Sequence, residues 1–315
     1  MTAPSREPVL RPFAARRFTP AGPARAWILG ALTLVGGVAA FFLLGAAGLY
    51  NIPFVLRELP YGLVPAELSL ELTTASFLIG FLLAQPLAVV RAFGPVRFAP
   101  SARGAGPKGA KRLVSNGLVR TAYGFATGYV ATVRGTPALV QILLVYYLFL
   151  FAYPRLTLLG EPTAFWAGLV ALTINTTGYQ AEALRGGYQS IDRTQVDAAR
   201  ALGMSPFQVF GRITLPQGLR LVTLPLANEW ISNFKTSTIL SYITIVELFG
   251  WARSQIAYEL GKPIEAFVLL TIFYLAINVT VSRTVTYVEK RRRIPGLGSM
   301  IPELMIHPDP VPGRA

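Results

Sequence analysis

One run of the chain, "WILGALTLVGGVAAFFLLGAAGLY", Trp27–Tyr50, holds 24 residues without a charge. A helix needs about 20 apolar residues to cross a bilayer, and a stretch this long has few soluble solutions. Five more candidate spans follow at about Leu68–Val90, Pro137–Tyr153, Thr163–Leu184, Gln217–Leu240 and Ile264–Tyr287. The reading is an all-α integral membrane chain of about six transmembrane helices. Only 14% of its residues are charged, against about 25% in soluble domains. The first span has 26 residues ahead of it and is longer than a signal-peptide core, so it reads as an uncleaved anchor.

The net charge of +14 raises the possibility of a nucleic-acid partner, but the positions of the cations favour a lipid-flanking role and no nucleic acid. Lys and Arg total 29. The N-terminal arm, the loop after span two, the loop after span four and the C-terminal end together hold 24 of them, the last including "EKRRR". The opposite side holds four, Arg57, Arg155, Arg253 and Lys262, and Lys235 lies within the fifth span. Basic residues flank spans on the cytoplasmic face, so both termini and the loop between spans four and five are expected in the cytoplasm of a multi-pass cell-membrane protein. The chain has no cysteine, which removes disulfide and thiol chemistry. Its single histidine, His307, sits in a Pro-rich tail and argues against a zinc site. No metal and no cofactor are expected.

Three regions are expected: residues 1–64, a basic arm, a span and an outer loop; 65–292, which holds the other five spans; and 293–315, a Pro-rich cytoplasmic tail. The second region carries a Gly-, Pro- and Lys/Arg-rich stretch, Ala92–Gly117, which reads as a flexible cytoplasmic linker. Its "GAGPKGAK" fails the phosphate-loop pattern because Gly109 is followed by Ala110 and no strand precedes it.

The loop after span four, "SIDRTQVDAARALGMSPFQVFGRITLP", is unlike a passive connection. Asp192 and Gln195 have the spacing of a capping box. The helix they start presents Val196, Ala199 and Leu202 on one face, and Gly203 supplies the left-handed residue that ends it. Ser205 with Gln208 forms a second capping box, and Pro206 suits a first turn. Phe207, Phe210 and Ile213 recur at three-residue spacing, and Pro216 then opens the fifth span. A loop lying on the membrane surface would be amphipathic too, but it would not need two caps around one hinge. Two short rigid helices with apolar knobs suit the groove of a cytoplasmic partner.

"DAARALGMSPFQVFGRITLP" resembles the loop signature of ABC-importer permeases, E-A-A-x3-G-x9-I-x-L-P. Asp197, Ala198, Ala199, Gly203, Ile213, Leu215 and Pro216 fall at the matching positions, with Asp197 where the family has Glu. "VRGTPALVQILLVYY" and "NTTGYQAEALRGGYQSI" resemble segments of polar amino-acid permeases, Gly178 standing where Ala is usual. The resemblance covers about 65–292 and implies a five-span core there, with the first span extra to it. It departs at "KTST", Lys235–Thr238, where the family tends to show K-D-T-S.

The resemblance implies coupling helices that dock, through Phe207 and Phe210 among others, into a cytoplasmic ATP-binding subunit. It also implies a second permease subunit, identical or related, and an extracytoplasmic solute-binding protein. The chain has no nucleotide-binding motif of its own, so it is expected not to be an enzyme. The implied function is import of polar amino acids by alternating access. An ABC permease for another small polar solute and an ion-driven secondary transporter stay open. The latter is expected to show inverted repeats, and none is visible. No catalytic constellation supports a membrane enzyme.

Other residues fall into two groups. A gating and structural group comprises Arg134 and Gly135 before span three, Thr136 and Pro137 as its cap and first turn, and Glu182, Arg185 and Gly186 at the end of span four. Glu182 and Arg185 are three residues apart and close enough to pair, while Gly186 and Gly187 permit a bend. A substrate-path group comprises Gln141, Asn175, Tyr179, Asn228, Glu229, Ser232 and Lys235, because polar groups within spans commonly face the bundle interior or a water cavity. Glu229 and Lys235 offer both signs of charge to a zwitterion. The alternative role for these residues is hydrogen bonding between helices.

Overall fold

A computed structural model describes residues 39–94, 108–152 and 163–292 continuously, with Leu32, Gly36 and Gly37 ahead of them. The start of the expected first span, much of the basic linker and the whole Pro-rich tail, His307 included, lie outside the described residues. Contacts divide the chain into Met1–Ile52 and Pro53–Ala315. In the first unit a helix runs over 39–46 and ends in a turn whose Gly48 has φ +78°.

The described residues form helices and turns without a strand. In chain order they are α1 (Ile52–Glu58), a 3₁₀ turn (Leu59–Gly62), α2 (Leu63–Phe93), α3 (Lys108–Gly135), α4 (Ala138–Ala152) and α5 (Thr163–Gln189). Then come α6 (Arg193–Ala201), α7 (Pro206–Val209), a π-turn (Phe210–Thr214), α8 (Leu215–Leu221) and α9 (Thr223–Thr236). A 3₁₀ stretch (Ser237–Ile243), α10 (Leu248–Trp251), a π-helical segment (Ala252–Glu259) and α11 (Pro263–Arg292) complete the order.

Among the described residues, two stretches are long and apolar enough to cross a membrane by themselves, Ile52–Phe93 and Pro263–Val288. A third candidate is the pair Gly117–Gly135 and Ala138–Ala152, which meets at 109°. Pro137 stands at that corner. It has no N–H to donate, and its ring disfavours helical backbone at the residue before it. The basic linker is shorter than expected, because α2 runs to Phe93 and α3 already starts at Lys108.

The bundle centres on α2 packed along α5. Apart from Leu72, the buried face of α2 is made of small residues, Ala66, Ser69, Thr73, Ser76, Gly80, Ala84 and Ala88. Small side chains let helix backbones approach closely where lipid gives no hydrophobic drive between helices. At Gly80 a Cβ would lie 2.7 Å from Thr176 Cγ2. The outward positions are large and apolar, with Leu78, Leu82, Leu144, Leu148, Phe151 and Phe267 all exposed. An exposed apolar surface of this kind marks a membrane or partner contact.

One apolar cluster joins Leu72, Ile142, Leu172, Leu240 and Ile243. A second joins Ala84, Val130, Leu184, Tyr188 and Val222. The end of the core that holds the second cluster also carries the stems of the α6–α7 loop. At the other end, the buried Glu247 carboxylate accepts from Ser69 Oγ (3.1 Å) and from the N–H groups of Phe249 and Gly250, capping α10.

The fifth expected span is not one helix. Val222, with ψ +7°, separates α8 from α9, and a 3₁₀ stretch replaces the α-helix after Thr236. Pro225 accounts for the first break. Inside a continuous helix its ring would collide with the carbonyl four residues back, that of Leu221.

Candidate coupling loop and gate

The loop between α5 and α8 is a small folded unit. Asp192 caps α6 by accepting from the Thr194 N–H at 2.9 Å, which holds its carboxyl below the usual range. The expected partnership with Gln195 does not form. The Gln195 side chain instead accepts from Gln217 Nε2 at 3.0 Å, tying α6 to the start of α8. Gly203 takes φ +82°, the left-handed conformation expected of it. Ser205 and Gln208 make the reciprocal capping box at α7, with bonds of 2.8 and 3.3 Å.

The apolar residues divide differently from the sequence pattern. Val196 and Ala199 are buried against Val209 and Ile191, with Met204 and Ile213 beside them, so they hold α6 to α7. Leu202 lies past the end of α6 and is 85% exposed, and Phe207 is 84% exposed. Phe210 points back to the bundle, edge-on to Phe93 and Tyr188 with ring centroids 5.9 and 5.4 Å away. Asp197 and Ala198 are exposed on the outer side of α6, Leu215 is half-buried, and Pro216 is exposed at the start of α8. The surface offered outward is therefore Leu202 and Phe207 with Asp197 and Ala198, while Ala199, Phe210 and Ile213 stiffen the unit from inside.

Two glycines join this unit to the bundle. α5 continues through Gly186 and Gly187 to Gln189. A Cβ on Gly187 would sit 2.3 Å from Val222 Cγ1 and 3.0 Å from the Gly218 carbonyl oxygen. One on Gly218 would meet the Tyr188 ring at 2.7 Å. The glycines let the two stems of the loop cross in backbone contact. Gly186 faces open space.

Beside this crossing Glu182 gathers three arginines. Arg91 from the end of α2 reaches it at 2.6 Å, Arg185 binds it through Nε at 3.2 Å, and Arg134 at the end of α3 stands 3.8 Å away. Sequence spacing suggested the pairing of Glu182 with Arg185. Arg91 was missed, since it lies 91 positions from Glu182 and nothing local marks it. The Arg134 guanidinium also lies over the Tyr179 ring, 5.8 Å from its centroid.

Of the substrate-path residues, two are hydrogen-bonding ties. Asn175 donates to Gln141 Oε1 at 3.0 Å. Gln141 Nε2 in turn reaches the Val133 carbonyl at 2.7 Å and Thr136 Oγ1 at 2.6 Å, bracing the α3–α4 corner. Thr136 donates back to the Thr132 carbonyl and so closes α3; it does not cap α4. Gly135 and Pro137 are exposed at the same corner. Gly178 is explained here, because Val133 fills the place of its Cβ, with Cγ1 2.6 Å away.

Asn228, Ser232 and Lys235 are exposed along α9. Asn233, next to this stripe, is buried and ties α9 to α2 through Ser76 Oγ (2.9 Å) and the Thr73 carbonyl. Glu229 opens into a cavity of about 410 Å³ together with Arg134, Tyr179 and Glu182.

An all-helical bundle with a lipid-like exterior and a double-capped, glycine-hinged loop is the membrane-spanning subunit of a binding-protein-dependent importer. The chain belongs to the family described as "Binding-protein-dependent transport system inner membrane component", whose pattern matches residues 113–294, and it is an ABC permease of the polar amino-acid uptake group. It is 33% identical over 243 residues to the nopaline transport system permease protein NocM of Agrobacterium fabrum, covering 76% of this chain and 90% of that one. It is 32% identical over 183 residues to the glutamine transport system permease protein GlnP of Escherichia coli, covering 56% and 81%. A solved structure described as an amino acid ABC transporter with histidines is 27% identical, with a TM-score of 0.59 over 76% of this chain and 98% of that one.

Proposed function

We propose that this chain is the permease of an ATP-driven importer for polar amino acids, working by alternating access. Two such subunits, identical or related, pair around one path in the cell membrane, with about six spans each and both termini cytoplasmic. ATP binding and hydrolysis belong to a separate cytoplasmic subunit, and an extracytoplasmic binding protein delivers the solute. The folded loop from Asp192 to Pro216 transmits the ATPase movement to α5 and α8. Any such shift requires contacts that differ between the two states, and Asp197, Ala198, Leu202 and Phe207 are the residues placed to make them. Arg134, Gly135, Thr136, Pro137, Glu182, Arg185 and Gly186 shape the gate. Tyr179, Asn228, Glu229, Ser232 and Lys235 line the path, with Gln141 and Asn175 holding its walls.

The observation that carries this reading is the loop itself: two capped helices around a left-handed glycine, with two large apolar side chains more than four-fifths exposed at the hinge. The amino-acid solute is supported by the names of the relatives, among them nopaline and glutamine permeases.

The test is uptake by the permease co-expressed with its ATPase and binding protein. Labelled L-glutamine, L-arginine and nopaline are offered with the ion gradients collapsed by ionophore. Uptake of at least one that needs ATP supports the reading. Uptake that follows the ion gradient and ignores the ATPase would establish a secondary transporter instead.

A further inference from the structure

The connection between the fifth and sixth expected spans, residues 241–263, folds into a strap at the end of the bundle away from the α6–α7 loop. It runs between two left-handed residues, Thr244 at φ +70° and Gly261 at φ +63°. Glycine takes that backbone freely. A β-branched threonine there is strained, and strain of this kind gathers at switch regions. Between the two lie α10 and the π-helical segment, which bury Leu248, Trp251, Ala252 and Ile256.

Ser69 of α2 fastens the strap. It donates to the Glu247 carboxylate at 3.1 Å and accepts from the Leu248 N–H at 3.0 Å. The same carboxylate accepts from the Phe249 and Gly250 N–H groups at 3.0 and 2.8 Å. Glu247 and Ser69 are both fully buried, and every one of these donors is neutral. Among the described residues no cation acts on Glu247. Arg253 turns to the rings of Tyr242 and Tyr258, Lys262 stands 3.9 Å from Glu265, and Arg57 pairs with Glu58. Glu67, Glu71 and Glu259 are exposed. Tyr274 of α11 is the titratable side chain in electrostatic contact with it. A carboxylate buried without a cation is penalised in its charged form, and burial pushes this one up to about 7 against the pull of its N–H and Ser69 bonds. The neutral acid keeps lone pairs for its N–H donors, so the fastening survives protonation.

We infer that the segment from Ile245 to Leu260 is an outer lid of the permease, pivoting at Thr244 and Gly261 and latched by Ser69 and Glu247, and that acidity outside the cell holds it shut. The inference rests on the importer reading and its orientation in the membrane, and adds regulation to them. When the lid lifts, Glu247 meets water and regains its ordinary acidity, so opening releases a proton to the outside. The closed lid binds that proton with a value of about 7, against 4.5 for the hydrated group. Between these values acid therefore favours the closed lid. One-proton linkage makes open lids up to roughly twentyfold rarer at pH 5.5 than at pH 7.5. The strain at Thr244 acts the other way, since lifting relieves it.

The test reads lid opening in the complete complex, in proteoliposomes with ATP inside and the binding protein outside. The chain has no cysteine, so Leu248→Cys places one thiol beneath the lid, and Tyr61→Cys, at a position 66% exposed, places a reference thiol outside it. An impermeant methanethiosulfonate reagent is added outside at pH 7.5 and at pH 5.5, and the labelling rate at 248 is divided by the rate at 61, which cancels the pH dependence of the reagent. The expected ratio rises with ATP and falls up to roughly twentyfold on acidification. Glu247→Gln should reduce that fall to less than about twofold. Thr244→Gly, which removes the strain of the closed lid, should lower the ratio at pH 7.5 by about five- to thirtyfold. If Glu247→Gln does not assemble, Thr244→Gly decides alone, and an unchanged or raised ratio overturns the inference. A ratio indifferent to pH, an equal fall in Glu247→Gln, or no response to ATP also overturns it. Where ATP-dependent uptake persists in the same vesicles, the importer reading then stands without the lid; where uptake is absent, both fall.

Discussion

Two neighbouring glycines at the end of α5 should respond oppositely to one methyl group. Alanine is the better helix former by about 0.8–1.0 kcal/mol at an interior position, and both residues lie inside the helix. At Gly186 the new Cβ meets nothing within 4 Å, so Gly186→Ala should keep that gain. At Gly187 it arrives 2.3 Å from Val222 Cγ1 and 3.0 Å from a backbone oxygen. The valine methyl can rotate, but the Gly218 carbonyl is part of α8, so the stems must separate. Overpacking of this kind costs about 1–3 kcal/mol. The helix gain is common to both variants, so they should differ by the overpacking cost alone, about 1–3 kcal/mol. At about 2–4 °C per kcal/mol, their melting points in detergent should separate by roughly 2–12 °C, with Gly187→Ala lower. The assay is paired thermal unfolding of the purified permease followed by tryptophan fluorescence. Coincident melting curves, or a lower midpoint for Gly186→Ala, would refute the claim that the stems touch through their backbones at 187.

Gly203→Val should insert normally yet lose ATP-coupled uptake, because a side chain at φ +82° costs about 1–2 kcal/mol although it meets no neighbour; Gly203→Asn, whose side chain tolerates this region, should recover much of the rate in the same transport assay. Burial raises the Glu247 carboxyl to about 7 from 4.5. The folded state therefore holds a proton that the unfolded state releases, so its contribution to stability is full below pH 4.5 and is lost as pH rises through about 7. Glu247→Gln should flatten the fall in melting temperature across that window, and an unchanged slope would show that another group titrates there.

What the sequence made legible was local. The caps at Ser205 and Gly203 depend on residues three or four apart and came out as read. The face of α6 was misjudged at Leu202, which follows the last helical residue and so leaves the helical phase of Val196 and Ala199. Gln195 was assigned to Asp192 by spacing, but its amide reaches Gln217 on the next stem. The contacts that organise the gate join distant positions: Arg91 to Glu182, Ser69 to Glu247, Asn175 to Gln141. In a membrane bundle such partners follow from which helices touch, and hydropathy gives each span without its neighbours. The break in the fifth span had one local cause, Pro225, whose effect falls four residues upstream. The role of Gly187 and Gly218 as a crossing point was invisible, since a glycine pair reads equally as a bend.

The central claim is that the Asp192–Pro216 loop is a stiff element gripped by a separate ATPase. The chain has no cysteine, so Leu202→Cys and Phe207→Cys each place a single thiol on the exposed hinge. A photoactivatable crosslinker on either thiol should capture the ATP-hydrolysing subunit in native membranes, with a yield that changes between nucleotide-free and ATP-bound states. Labelling of either thiol by an impermeant reagent added outside intact cells, or capture of no ATPase from both positions, would contradict the account.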